Sequence, residues 1–345
     1  MIILELNTMK YPDDMQAMVL EKAGGPLVYK RVPVPQPTDH QVLIKVLACG
    51  ICRTDLHILD GDLDRPKLPL IPGHEIVGTV VKTGSAVKGP QPGQFVGVPW
   101  LGYTCGKCKF CRQGMENLCD NALFTGYTID GGYAEYTVAD ARFCFVLDER
   151  SHEPGSAPLL CAGLIGFRSY RMIAPSAGNI GLYGFGAAAH ILIQVAVAQG
   201  KKIFAFTRDG DTTAQEFARK MGAFWTGGSS DSPPEVLDAA IIFAAAGELI
   251  PKALKDVDKG GQVICGGIHM SSIPGFSYDL LWGERSVKSV ANLTRQDGLD
   301  FFSVLKEVAV QTQTELFQLS AANEAIGRFR AGKISGAGVL VMDKP

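Results

Sequence analysis

The chain lacks any apolar run approaching the roughly 20 residues that cross a membrane as a helix; its longest apolar stretches are strand-sized. A helical membrane protein is not expected. The start, Met1–Leu6, is a short apolar patch followed by Asn7, without the basic region and long apolar segment of a secretory signal. The expected location is the cytoplasm. Charge imbalance is also missing: 33 Lys and Arg against 35 Asp and Glu leave −2 at pH 7. Nothing in that balance draws the chain to nucleic acid or to an anionic membrane, and no basic stripe is present. Long repeats and low-complexity tracts are absent too.

What is present is a large apolar fraction and many thiols. At 345 residues and 46% hydrophobic content, the chain can bury a sizeable core and should form two domains. There are nine cysteines, an odd number. Without an export signal, a disulfide framework is not expected, and metal or catalytic roles gain weight.

The chain has two textures. From about Gln16 to Phe145 it reads as short strands separated by turns, such as Val42–Val46, Ile76–Val81 and Phe95–Val98. From about Ala162, strands and helices alternate. Ile180–Tyr183, Ile203–Phe206, Leu237–Phe243, Gln262–Cys265 and Val287–Val290 read as strands, and Ala187–Gln199 and Thr212–Met221 as helices. Such alternation implies right-handed crossovers and a parallel sheet covered on both faces. The tail is mixed and ends on a strand-like Gly338–Met342. The expected class is therefore α/β. A β-rich domain forms from residues 1–161 and 293–345, with a doubly wound domain of residues 162–292 inserted. Residues 1–14 read as a flexible extension.

Three motifs carry chemistry. The first is Cys105, Cys108, Cys111 and Cys119, four thiols within fifteen residues. Thiolates suit zinc, and a closed four-sulfur shell leaves no position for substrate, so this set reads as a structural zinc site. Four reduced surface thiols and an iron–sulfur cluster are the alternatives. The second set is dispersed: Cys52, His74 and Cys161. Two sulfurs and an imidazole leave one position open, which is the composition of a catalytic zinc site. Any such trio could be drawn from nine cysteines, however. A hydrogen-bonded turn histidine and a buried small cysteine remain open readings, as does a redox pair at Cys49 and Cys52. The third motif, Gly184-Phe185-Gly186-Ala187-Ala188-Ala189, follows a strand and opens a helix. The first glycine permits a tight turn, the second admits a pyrophosphate at the helix N-terminus, and Ala189 sits where helix packs on strand.

Together the runs Gly50-Ile51-Cys52-Arg53-Thr54-Asp55 and Gly73-His74-Glu75, the four-cysteine lobe, Leu160-Cys161 and the glycine loop resemble the zinc-dependent medium-chain alcohol dehydrogenases. The order matches over nearly the whole chain, and the resemblance is close to the branch of cinnamyl and related primary alcohol dehydrogenases. It implies a nicotinamide-binding Rossmann domain inserted in a GroES-like catalytic domain, with two zinc ions per chain. By resemblance, Cys52, His74 and Cys161 hold the catalytic zinc. Glu75 can approach that metal, and Asp55 orients His74. Thr54 takes the alcohol proton, His57 carries the relay outward, and Arg53 faces the cofactor pyrophosphate. Ile165 departs from the family, many members having threonine there beside the nicotinamide. The resemblance also implies a homodimer or homotetramer.

Zinc acidifies a bound hydroxyl, and a hydroxyl-to-imidazole path gives the proton an exit. The expected substrate is a small primary alcohol or its aldehyde. Cofactor choice is read at the end of the second strand, about 20 residues past the glycine loop. There Thr207 stands where a carboxylate would repel a 2′-phosphate; it can instead donate a hydrogen bond, and Arg208 can pair with the phosphate. NADP is expected over NAD, the alternative being that Asp209 or Asp211 reaches the ribose. Two rivals are a non-catalytic zinc protein and a zinc-free reductase of the same fold. Trp100 is a wall of the substrate pocket or a core residue. Cys144 and Cys265 read as core, Lys201-Lys202 as a solvated turn, and His40, His152 and His190 as ordinary surface or helix positions.

Overall fold

A computed structural model describes residues 10–268, 270–334 and 336–342. Residues 1–9 of the expected extension lie outside that set, and Asp14 already belongs to a strand, Asp14–Leu20. Two compact units emerge. One contains the described residues through Cys161, Thr294–Phe302 and the described residues from Thr312 onward. The other contains Ala162–Leu293 and Ser303–Gln311. No helix among the described residues is long and apolar enough to cross a membrane.

The first unit is β-rich. Strands Asp14–Leu20 and Leu27–Pro33 form an antiparallel hairpin. The main sheet has the order Thr314–Gln318, Ala337–Val341, Gln41–Ile51, Glu75–Thr83, Phe95–Val98 and Phe145–Val146, with Tyr136–Asp140 also paired to Gln41–Ile51. Late and early segments thus share one sheet. Most side chains of Gln41–Ile51 are apolar, and Val42, Leu43, Ile44 and Val46 are buried in its core. This strand and Glu75–Thr83 run antiparallel with Gly50 opposite Glu75. That register brings the chain after Ile51 and the chain before Glu75 to the same end of the sheet.

The second unit is a six-stranded sheet whose pairings are all parallel. Its order is Trp225–Gly228, Lys202–Thr207, Asn179–Tyr183, Leu237–Ile242, Val257–Cys265 and Ser286–Ser289. In chain order this reads 3-2-1-4-5-6, the doubly wound pattern, with the switch point between Asn179–Tyr183 and Leu237–Ile242. Neighbouring residues of each strand enter two separate cores. Ile180, Leu182, Ile203, Ala239 and Ile241 pack with Ala189 and Leu192 of the helix Ala187–Ala198. Tyr183, Phe204, Phe206, Ala240 and Ile242 pack with Leu249, Ala253 and Leu254 of the helix Leu249–Asp256. Helices therefore cover both faces, which is why these strands read as continuous apolar runs.

His190 lies within the helix Ala187–Ala198, the helix alternative of its sequence reading. It is only 1% exposed. Its helix is apolar on nearly every side, and such a helix lies inside the protein rather than upon it. Burial pushes the imidazole pKa down.

Candidate metal and cofactor sites

The strand Gln41–Ile51 is followed directly by a helix, Arg53–Asp60, in a region that shows little helical periodicity. Cys52 is its N-cap. The Asp55 carboxylate accepts from the Cys52 backbone N–H at 2.8 Å, as a capping box requires. Cys52 is thereby fixed at the sheet end, where the register also delivers His74 and Glu75. Gly50 makes room for this: a Cβ there would lie 1.9 Å from Glu75 Oε2. Cys161 arrives at the end of the helical segment Pro154–Leu160, with its Sγ 3.7 Å from that of Cys52.

One ligand atom from each of Cys52, His74, Glu75 and Cys161 falls within 4.8 Å of all the others. His74 is wholly buried, and its Nδ1 is 3.1 Å from Asp55 Oδ1. Asp55 is also wholly buried, and its Oδ2 accepts from the Tyr133 hydroxyl at 3.1 Å. The opposite ring nitrogen of His74, Nε2, and Glu75 Oε2 have no hydrogen-bond partner among the described residues. A buried polar atom without a partner is costly. Electrostatics point the same way. The hydrogen bond from Cys161 outweighs burial and holds the Cys52 pKa well below the usual thiol range. Burial raises Glu75, and the charge of Cys52 adds to it. Burial opposes charge on His74, but Asp55 and Cys52 outweigh it and raise its pKa. Two thiols and a carboxylate crowded around one imidazole form a donor set that a divalent soft-borderline metal satisfies.

Thr54 Oγ1 lies 3.7 Å from Cys52 Sγ and is buried. His57, three residues on and so on the same helix face, is partly exposed and bonds Asp62 through Nδ1 at 2.8 Å. Arg53 is exposed. The Trp100 ring meets His74 edge-on, with centroids 5.0 Å apart, and stacks on both Phe124 and Tyr127.

The four thiols of the lobe converge as well: all four sulfurs lie within 4.8 Å of one another. Cys108 caps the short helix Lys109–Arg112, and its sulfur accepts from the Cys111 N–H. Backbone N–H groups of Lys107 and Cys108 pull the Cys105 pKa down to about 6, whereas burial pushes Cys111 up to about 11. All nine cysteines are unpaired. The lobe is anchored through Glu116, which accepts from the backbone N–H and the Nε of Arg295 at 3.0 and 3.2 Å.

In the second unit, Gly184 adopts φ +91°, and a Cβ there would lie 2.8 Å from the Ala244 backbone nitrogen, so only glycine fits the turn. Gly186 is the N-cap of Ala187–Ala198 and faces open space. Ala189 is fully buried, as close helix packing requires. Ile165 is half-buried on the helix Ala162–Arg171. Thr207 ends its strand buried, with its hydroxyl donating to a carbonyl and accepting from Gln215. Arg208 is exposed. Asp209 is bound by Ser230 N–H and the Ser229 hydroxyl, and Asp211 caps the helix Thr212–Lys220.

The sequence did not single out Tyr133 or the Glu116–Arg295 pair, and Gly50 stood in a matching run without a role of its own. The two glycines before Tyr133 were a legible sign of close approach; the Glu116–Arg295 pairing had no local signal.

Comparison with known proteins agrees with this geometry. Residues 38–149 match the alcohol dehydrogenase GroES-like domain family. The "Probable alcohol dehydrogenase AdhA" of Mycobacterium tuberculosis is 44% identical over 325 residues, covering 92% of this chain and 93% of that protein. An alcohol dehydrogenase of Geobacillus stearothermophilus is 34% identical over 336 residues, covering 94% and 98%. Among solved structures, a cinnamyl alcohol dehydrogenase from Sorghum bicolor superposes with a TM-score of 0.85 at 26% identity, covering 95% of this chain and 97% of that one. With likeness at this level over nearly the full length, the chain belongs to the zinc-dependent medium-chain alcohol dehydrogenases and is an NAD(P)-dependent alcohol dehydrogenase.

Proposed function

We propose that the enzyme interconverts primary alcohols and their aldehydes, with NADP preferred over NAD. The observation that carries the reading is the buried, partnerless Nε2 of His74 beside two converging thiols. Cys52, His74 and Cys161 would hold the catalytic zinc, with Glu75 as an alternative donor, and Cys105, Cys108, Cys111 and Cys119 a structural one. When bound there, the ion would supply Lewis acidity to the alcohol hydroxyl, and a nicotinamide would supply the hydride acceptor. Asp55 fixes the ring of His74. The Thr54 hydroxyl takes the alcohol proton and His57, nearer solvent, passes it outward. The aromatic stack of Trp100, Phe124 and Tyr127 beside His74 suits a flat, apolar substituent, as a cinnamyl alcohol carries.

Gly184, Gly186 and Ala189 form the turn that receives the pyrophosphate. Two facts favour NADP. Arg208 is exposed at the strand end, and both nearby carboxylates are committed elsewhere, Asp209 to Ser229 and Ser230 and Asp211 to its helix cap. The Thr207 hydroxyl is likewise occupied, so recognition of the 2′-phosphate rests on Arg208.

The edge strand Ser286–Ser289, with Val287, Tyr278 and Trp282 exposed, supports a homo-oligomer, a dimer or tetramer. Nine unpaired thiols suit a reducing, cytoplasmic setting. A panel of primary and secondary alcohols, followed at the nicotinamide absorbance band with each cofactor, tests the reading. Higher kcat/KM with NAD, or with secondary alcohols, overturns it.

A further inference from the structure

We infer that Tyr133 is a positioning residue for the catalytic metal, acting through Asp55 on His74. The inference rests on the reading of His74 as a ligand. The Asp55 carboxylate is wholly buried and must find its hydrogen bonds inside the protein. Three donors supply them. His74 Nδ1 bonds Oδ1 at 3.1 Å, while the Cys52 N–H and the Tyr133 hydroxyl bond Oδ2 at 2.8 and 3.1 Å. One carboxylate thus gathers the backbone of one proposed ligand, the ring of another, and a phenol from a loop 78 residues away.

The phenol is held rigidly. Tyr133 is wholly buried. Its N–H donates to the Pro72 carbonyl at 3.0 Å, and its own carbonyl accepts from Met18 N–H at 2.8 Å. The ring lies against the bare face of Gly73, where a Cβ would stand 2.3 Å from Tyr133 Cδ1. Gly73 adopts φ +94° and immediately precedes His74. The ring therefore braces the segment that presents the histidine while its hydroxyl neutralises part of the charge on Asp55. Without that hydroxyl, Asp55 keeps two donors. Its charge then concentrates on the bond to His74, and its own orientation loosens. Partners of this kind orient a ligand and tune its hold on metal.

The test is Tyr133→Phe in the holoenzyme, with zinc release followed by a chromogenic chelator. Loss of an outer hydrogen-bond partner of a ligand weakens metal binding by about 10–100-fold. One bond further out, release of one zinc per chain should quicken about three- to tenfold. The second zinc, in the four-cysteine lobe, should leave at the wild-type rate and so reports an intact fold. The kcat should fall several-fold while KM for alcohol stays within about twofold, since only the metal's setting changes. In an Asp55→Asn background, Tyr133→Phe should add no further effect. Wild-type release rates in Tyr133→Phe, equal loosening of both zincs, or a full additional effect on Asp55→Asn would each overturn the proposal. If His74→Ala leaves two zincs per chain, the reading of the site itself falls, and this inference with it.

Discussion

Arg208 stands exposed where the second strand of the nucleotide unit ends, and no carboxylate beside it is free to meet a ribose hydroxyl. A charge-assisted bond to a 2′-phosphate contributes about 1.5–3 kcal/mol, or roughly 10–100-fold in kcat/KM. Arg208→Ala should lose that factor with NADP and stay within about twofold with NAD. Equal losses with both cofactors would remove Arg208 from phosphate recognition. At the metal, His74→Ala should abolish alcohol oxidation and lower zinc content by one per chain. Far-ultraviolet dichroism should remain that of the wild type, because this ligand does not stitch the core. Turnover in a preparation shown by mass spectrometry to lack metal would contradict the assignment. Much at this scale was legible in the sequence, for a physical reason. A converging thiol cluster and a tight glycine turn need particular atoms at particular spacings, and Cys105–Cys119 and Gly184–Ala189 encode theirs locally. Tyr133 acts through a contact across 78 residues, which no local spacing encodes.

The four-cysteine lobe is an element with almost no apolar core of its own: the helix Lys109–Arg112 has no buried residue. In the proposed reading, metal ligation and the Glu116–Arg295 hydrogen bonds take the place of packing. Cys108→Ser should therefore remove one zinc and lower Tm by roughly 5 °C or more. Substrate preference should hardly change in the folded fraction; unaltered zinc content and Tm would show that the lobe binds no metal. The glycine turn is fixed differently, by backbone shape. A left-handed residue other than glycine costs about 1–2 kcal/mol, and the clash with Ala244 adds to it. Gly184→Ala should weaken cofactor binding, measured by quenching of protein fluorescence, more than it changes zinc content. The central strands of the nucleotide unit were readable because burial on two faces writes long apolar runs, whereas the short strand Trp225–Gly228 and the helix Leu249–Asp256 were not read. The helix Arg53–Asp60 was not. It is short, and its N-terminus is set by a cysteine, a residue seldom met as a cap.

At the scale of the molecule, the sheet edge at Ser286–Ser289 has no strand on its outer side among the described residues, and exposed Trp282 and Tyr278 lie close in sequence. A chain assembling through this edge should fall to a smaller species when Trp282→Glu is combined with Val287→Lys, as sedimentation velocity would report. An unchanged sedimentation coefficient would place the assembly surface elsewhere. Which side chains remain exposed is settled by tertiary packing, so this surface had no signature in the sequence beyond the family resemblance.

The shared sheet of the first unit also sets a timetable for biosynthesis. Strand Gln41–Ile51 pairs on one side with Ala337–Val341, so its hydrogen bonds stay incomplete until residue 341 has left the ribosome. The nucleotide unit is finished sooner, with its last strand ending at Ser289 and its last segment at Gln311. The thiols of the lobe lie within fifteen residues and need no distant partner to surround an ion. Cys52, His74 and Cys161, by contrast, sit on a half-built platform for most of translation. The nascent chain should load the lobe's zinc first and the catalytic zinc last, so metal scarcity during growth would yield folded, one-zinc, inactive enzyme that late zinc can still awaken.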